Sequence, residues 1–175
     1  MTSPSAPFAE GGAADIPEVE RIVLERTAGL EVDHGAMAVV SNLFRLSTAI
    51  RRRMERTVLA GDGLSWTAFV VLWVLWIWGE MESRDLASAV GITKPTSSGV
   101  VRTLERRGLV QRQKGADDGR MVRVSLTDSG RRLIEDLFPR FNAEEARVAA
   151  PLDPAQQDSL ARLLRSLLNA VEDAT

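Results

Sequence analysis

Two cations, Lys94 and Arg102, sit in a stretch whose other residues are mostly short or hydroxylated: Thr93, Pro95, Thr96, Ser98 and Gly99. Such a surface suits a DNA major groove, because short side chains permit close approach while hydroxyls and cations meet base edges and phosphates. A second basic set follows. Arg112 and Lys114 lie in a strand-like stretch, and Arg120 closes a turn-forming segment, Gly115-Ala116-Asp117-Asp118-Gly119-Arg120. An arginine at a hairpin tip suits the minor groove, whose negative potential attracts guanidinium. Asp118, two residues earlier, can hold its orientation. Two solvated helices and an idle hairpin are the plain alternative; their succession in one span favours DNA.

The elements that must position these groups are legible around them. Leu86 and Val90 are one turn apart and mark the inner side of a short helix, and small Ala87 lets a second helix cross close by. Gly91 follows, where a residue without a Cβ can reverse the chain in the left-handed region. Thr93 is the expected cap of the next helix and Pro95 falls in its first turn, where a missing N–H costs little. Ser97, Val100, Val101 and Leu104 repeat at the spacing of one inward face. Lys94, Pro95, Thr96, Ser98, Gly99, Arg102 and Thr103 are thereby left outward. Gly108 ends this helix. Residues 109–114 and 121–126 then read as the two strands of a hairpin, with Val122, Val124 and Leu126 alternating onto one face.

The formal net charge is −2, which argues against a uniformly basic protein, but the charge is unevenly spread. Residues 82–126 hold nine basic and five acidic side chains, against thirteen and nineteen elsewhere. A basic module on an acidic body would dock one face on DNA and repel it elsewhere. The absence of cysteine excludes disulfides and thiol redox sensing, and the single His34 cannot assemble a His/Cys zinc site, so no metal and no cofactor are expected. No secretory signal is apparent. The longest apolar run, 68–78, is eleven residues, short of the roughly 20 that span a bilayer. The expectation is a cytoplasmic protein with no membrane partner. No nucleotide loop, carboxylate pair or nucleophile with its base is discernible, so an enzyme is not expected.

Around the basic span, residues 1–15 are rich in Ala, Gly, Pro and Ser and are expected to be disordered. Residues 17–28 permit a short helix. A long helix is predicted from about 33 to 59, capped by Asp33, with Met37, Val40, Leu43, Phe44, Ser47, Ile50, Met54 and Val58 as one stripe. Ser65 caps a helix over 66–78 that is apolar nearly all round and therefore central. Its tryptophans, including Trp66 and Trp73, are read first as core filling, with the wall of a pocket for a flat aromatic effector as the alternative. One arginine near the end of the long helix, Arg51, is a candidate for binding an anionic effector; a solvated face is its plainer role. After the hairpin, Thr127 or Asp128 caps a helix to about 150, with Pro139 expected to bend it. Asp153-Pro154-Ala155-Gln156 is a capping box with a first-turn proline. The last helix carries Leu160, Leu163, Leu164, Leu167, Leu168 and Val171 on one stripe, which would be a sticky patch on a monomer. Together with Met37 and Val40 these residues are the candidate dimer contacts.

The succession "LSWTAFVVL", "RDLASAVGITKPTSSGVVRTLERRGLVQR", "DDGRMVRVSLTDSG" resembles the MarR (multiple antibiotic resistance regulator) family of winged-helix regulators, over residues from about 36 onward. The resemblance implies a mainly α fold with a small β-wing. It also implies an obligate homodimer joined through its chain ends and a pseudo-palindromic DNA operator released when a small molecule binds. Many members have a basic residue where this chain has Gly99. On this basis 61–126 is the winged helix-turn-helix, and 16–60 with 127–175 the helical dimerisation region. In the family, effectors lodge between the long helix, the tryptophan-rich helix and the helix after the wing. The urate-responsive branch generally needs an acidic residue in the middle one; 68–78 has none, which leans toward an apolar or phenolic ligand. A constitutive or architectural DNA-binding dimer with no effector is the alternative.

Overall fold

The computed structural model describes residues 16–114 and 122–173. It divides into two compact units, 1–49 and 50–175.

The first unit holds α1 (Ile16–Thr27) and most of α2 (His34–Met54). Asp33 starts α2 as expected, its carboxylate accepting the Ala36 amide at 2.9 Å. The lone histidine faces Thr27, its Nε2 2.9 Å from the Thr27 hydroxyl, and Asn42 donates to Glu20 at 2.9 Å. Val40, Leu43 and Phe44 of the predicted stripe are exposed, as are Val39 and Leu46. A groove of about 300 Å³ lies between these helices, with Val23, Leu24, Met37 and Arg45 among its walls.

In the second unit the predicted long helix is not uniform. It ends as an α-helix at Met54 and continues as a π-helical turn, Glu55–Leu59, and a 3-10 turn, Ala60–Asp62. The wider turn brings Leu59 into the core beside Met54 and Val58. It also lets the Glu55 carboxylate accept the Trp66 amide at 3.0 Å, satisfying a donor at the start of α3 (Trp66–Trp78) that the helix itself leaves open. Gly63, at φ +60, ends the 3-10 turn in the left-handed region.

Helix α3 is central, with Ala68, Phe69, Val71, Leu72, Val74 and Leu75 all buried. Its C-terminal Ile77 and Trp78 are exposed, since the helix outruns the core there. Around it pack α4 (Ser83–Val90), α5 (Lys94–Arg106) and α6 (Asp128–Ala149). A three-stranded antiparallel sheet is ordered β1 (Met81–Glu82), β3 (Val122–Leu126), β2 (Val110–Lys114). Its register sets Val110 against Leu126 and Met81 against Val124. The two-residue β1 was not expected from sequence.

Thr127 caps α6 by accepting the Gly130 amide at 3.0 Å, and Pro139 lies inside the helix. The capping box of Asp153 and Gln156 forms as predicted at the start of α7 (Pro154–Glu172), both of its bonds at 2.9 Å. Every residue of the α7 leucine stripe is exposed, from Leu164 at 37% to Val171 at 68%. Among the described residues no single helix is long and apolar enough to cross a membrane.

Candidate nucleic-acid interface

The turn between α4 and α5 is made as its residues dictate. Gly91 adopts φ +71, and its amide and that of Ile92 close onto the last carbonyls of α4. Thr93 caps α5, accepting the Thr96 amide at 3.4 Å, while its hydroxyl also meets that of Thr96 at 2.9 Å. Pro95 occupies the first turn. Ser97, Val101 and Leu104 are buried and Val100 is half-buried, which fixes the rotation of the helix about its axis. Lys94, Pro95, Thr96, Ser98, Gly99, Arg102 and Thr103 are consequently all exposed, as is Thr93. A Cβ built on Gly99 would meet nothing within 4 Å.

Charge on this face is sorted by pairing. Among the described residues neither Lys94 nor Arg102 has a carboxylate partner. Other cations of the span do: Arg84 reaches Glu82 and Asp85, and Arg123 meets Glu80 at 3.1 Å. Arg112, read from sequence as a DNA contact, reaches back from β2 to the last turn of α5. There its Nε and Nη2 both donate to Glu105 Oε2, at 2.9 and 2.5 Å. The hydrogen bond from Arg112 holds the Glu105 carboxyl below the usual carboxylate range and raises the guanidinium in turn. The pair braces the wing against α5, seven residues apart in sequence.

The wing is anchored to the rest of the unit at its base. Ser83 Oγ donates to Val122 O at 3.0 Å, tying α4 to β3. The Thr127 hydroxyl donates to Gly108 O at 2.6 Å and its amide to Leu109 O at 3.1 Å. Lys114 ends β2; Asp118 and Arg120 at the tip lie outside the described residues.

The three residues nominated for an effector are dispersed in their contacts. Trp66 is half-buried, with its ring 6.2 Å from Phe69 and 6.0 Å from Phe141. Trp73 meets Trp78 edge-on at 5.5 Å, and Arg51 is exposed on α2. Sequence reasoning missed the Glu105–Arg112 brace and a second bridge, from Arg107 to the turn at 60–63. The long separation in sequence leaves no local signal for the latter. Among the described residues no cluster of three or more His, Asp or Glu side chains is placed to hold a metal ion.

A model of the MarR family matches residues 64–122, the stretch from the start of α3 into the wing. The chain is 39% identical over 132 residues to the uncharacterized HTH-type transcriptional regulator YwaE of Bacillus subtilis, covering 75% of this chain and 77% of that one. Its fold is similar to that of S. aureus MepR in complex with DNA, with a TM-score of 0.69, 26% identity, and coverage of 75% and 97% of the two chains. It is similar also to Bordetella bronchiseptica BpsR, whose DNA binding is regulated by 6-hydroxynicotinic acid, with a TM-score of 0.66, 29% identity, and coverage of 73% and 97%.

Proposed function

The chain belongs to the MarR family of transcriptional regulators, and on that premise we propose that it acts in the cytoplasm as a homodimeric repressor of a pseudo-palindromic operator. The observation that carries this reading is the outer face of α5, short side chains with two cations, Lys94 and Arg102, that no carboxylate among the described residues neutralises. Thr93, Pro95, Thr96, Ser98 and Gly99 permit the close approach that base readout needs, while Lys114 and Arg120 follow the backbone and minor groove, Asp118 serves to orient Arg120, and Arg112 braces the wing. The exposed leucines of α7, Leu160, Leu163, Leu164, Leu167 and Leu168 with Val171, are covered by a second copy, as are Met37 and Val40 of α2. Such a patch is costly to leave in water. Two copies then present their α5 helices to successive major grooves, about 34 Å apart.

A small hydroxylated aromatic acid is the effector class this reading favours, since BpsR responds to such a molecule. It would bring about release by binding more tightly to a dimer geometry that no longer matches the groove spacing; only such differential affinity can shift the equilibrium. A constitutive DNA-binding dimer is the second reading. It is favoured by the aromatic neighbours already engaging Trp66 and Trp73, the residues nominated with Arg51 as the effector seat. Saturable quenching of tryptophan fluorescence by hydroxylated aromatic acids, with loss of DNA binding, separates the two.

The DNA half is tested by anisotropy titration of the chain on its own upstream sequence and on random duplex, with sedimentation to establish the dimer. Arg120→Ala should lower the slope of log affinity against log salt by about one unit. Lys94→Ala should cost about 1–3 kcal/mol on the specific site alone, as expected of a base contact. Equal affinity of the unsubstituted chain for both duplexes refutes the reading.

A further inference from the structure

Arg107 follows the last turn of α5 and points away from that helix's own end. Its Nη1 donates to Gly63 O at 2.8 Å and its Nη2 to Asp62 O at 2.7 Å, residues 44 and 45 positions earlier in the chain. Both acceptors are backbone carbonyls at the close of the 3-10 turn, where helical segments leave carbonyls without internal partners. The turn is itself held from the other side. Asp62 Oδ2 accepts from Arg140 Nη2 of α6 at 2.9 Å, and Arg140 also reaches Asp136 at 3.4 Å. The bond that Arg140 donates to Asp62 is the chief cause that holds its guanidinium above its ordinary range. Recognition helix, turn and α6 are therefore joined by one chain of bonds, Arg107 to the 62–63 peptides to Arg140.

We infer that Arg107 is a positioning residue for DNA reading: its two-armed grip on the 62–63 carbonyls fixes the angle at which α5 is presented, without Arg107 touching DNA. This rests on α5 being the helix that reads DNA. The fork matters because two donors in a fixed plane constrain direction as well as distance, which a lysine ammonium does not. The lever is long. A helix of 13 residues spans about 20 Å, so a tilt of about 5° at the Arg107 end displaces Lys94 by about 1.7 Å. Base contacts fail over such a distance, because hydrogen bonds weaken steeply outside a narrow range. Phosphate contacts made by flexible cations survive it.

The expected signature is selective. The full chain is titrated by anisotropy against a 30-bp duplex that it has itself enriched from a random pool, and against random duplex of equal length, over about 50–200 mM salt. Arg107→Ala and Arg107→Lys should each lose roughly tenfold or more on the enriched duplex, the scale of one lost base contact. Affinity for random duplex, the salt slope and the melting temperature should stay close to those of the unsubstituted chain. Asp62→Asn, which keeps both carbonyls but weakens the hold of Arg140, should show a smaller loss of the same kind. It carries the test if the Arg107 variants do not fold. A slope lowered by about one on both duplexes would mean that Arg107 neutralises a phosphate, and would overturn the inference. So would full selectivity in Arg107→Lys, or unchanged selectivity in all folded variants. A chain that enriches no duplex refutes the DNA reading, and this inference with it; enrichment without the selective loss refutes the inference alone.

Discussion

Replacing Gly130 with alanine asks whether the start of α6 must touch the base of the wing. Gly130 is buried in the first turn of α6. A Cβ built there would lie 1.9 Å from Leu109 O and 2.9 Å from its carbonyl carbon. The carbonyl cannot swing aside, because Leu109 O accepts the Thr127 amide at 3.1 Å and the Leu109 amide is bonded to Leu104 O at 3.0 Å. Relief therefore requires the first turn of α6 to lift by about 1.5 Å, toward an ordinary carbon contact of about 3.5 Å. Overpacking of this kind costs about 1–3 kcal/mol. Lifting also breaks the two Thr127 bonds to Gly108 and Leu109, at about 1 kcal/mol each. Alanine returns about 1 kcal/mol through its better helix propensity, leaving a net loss of about 2–4 kcal/mol. Urea unfolding at one protein concentration should show a lower midpoint with an unchanged slope; concentration is fixed because association contributes to stability. A variant as stable as the unsubstituted chain would refute the close approach, and with it the reason for glycine at this position.

Gly99 is the matched opposite case: an exposed helical glycine with nothing near its missing Cβ. Gly99→Ala should stabilise the chain by about 0.5–1 kcal/mol in the same unfolding experiment, while weakening binding to the enriched duplex, where the added methyl intrudes on the groove face. Glu144 is buried in α6 and accepts from Arg53 and Arg147, each at 2.5 Å; hydrogen bonds from Arg147 and then Arg53 hold its carboxyl below the usual range. A lowered native value means the stabilisation is complete above about pH 5 and is lost as pH falls through the carboxylate range. The gap in melting temperature between the unsubstituted chain and Glu144→Gln should accordingly be constant from neutral to about pH 5 and narrow below it.

What was legible in the sequence is what local chemistry decides. Thr93 and Asp153 cap their helices through side-chain oxygens three residues from the amides they serve, and Gly91 turns the chain where it stands, so spacing alone locates them. The inward face of α5 was equally readable, because Ser97, Val101 and Leu104 must share one side of any helix that contains them. The π-helical turn was not. Periodicity carried a single helix on to Leu59, but the extra residue in the turn is decided by Glu55 reaching the Trp66 amide and by room in the core for Leu59. Strand β1 is two residues long and exists through its pairing with β3, 40 or so positions away. Trp78 had the composition of a core residue and lacked only a core to enter. Arg112 had the composition of a DNA contact, yet its nearest acceptor is Glu105, across the turn between helix and strand.

That last case changes how the basic span is to be weighed. Nine cations fall within 82–126, but they are not equivalent in reach. Arg84, Arg112 and Arg123 are engaged by carboxylates, and Arg107 by backbone carbonyls. Arg106 donates to the Thr103 hydroxyl at 3.3 Å. Three of the paired cations hold the framework: Arg123 ties β3 to Glu80 ahead of β1, Arg112 the wing to α5, and Arg107 α5 to the turn at 60–63. Lys94 and Arg102 carry charge that nothing in the described fold satisfies, and both project from the same outward face. An acidic protein can thus present a narrow cationic strip, because four of the module's nine cations are engaged by neighbours of opposite sign or by carbonyls. Specificity then depends less on how many cations the span contains than on how rigidly the paired ones hold the unpaired ones in place.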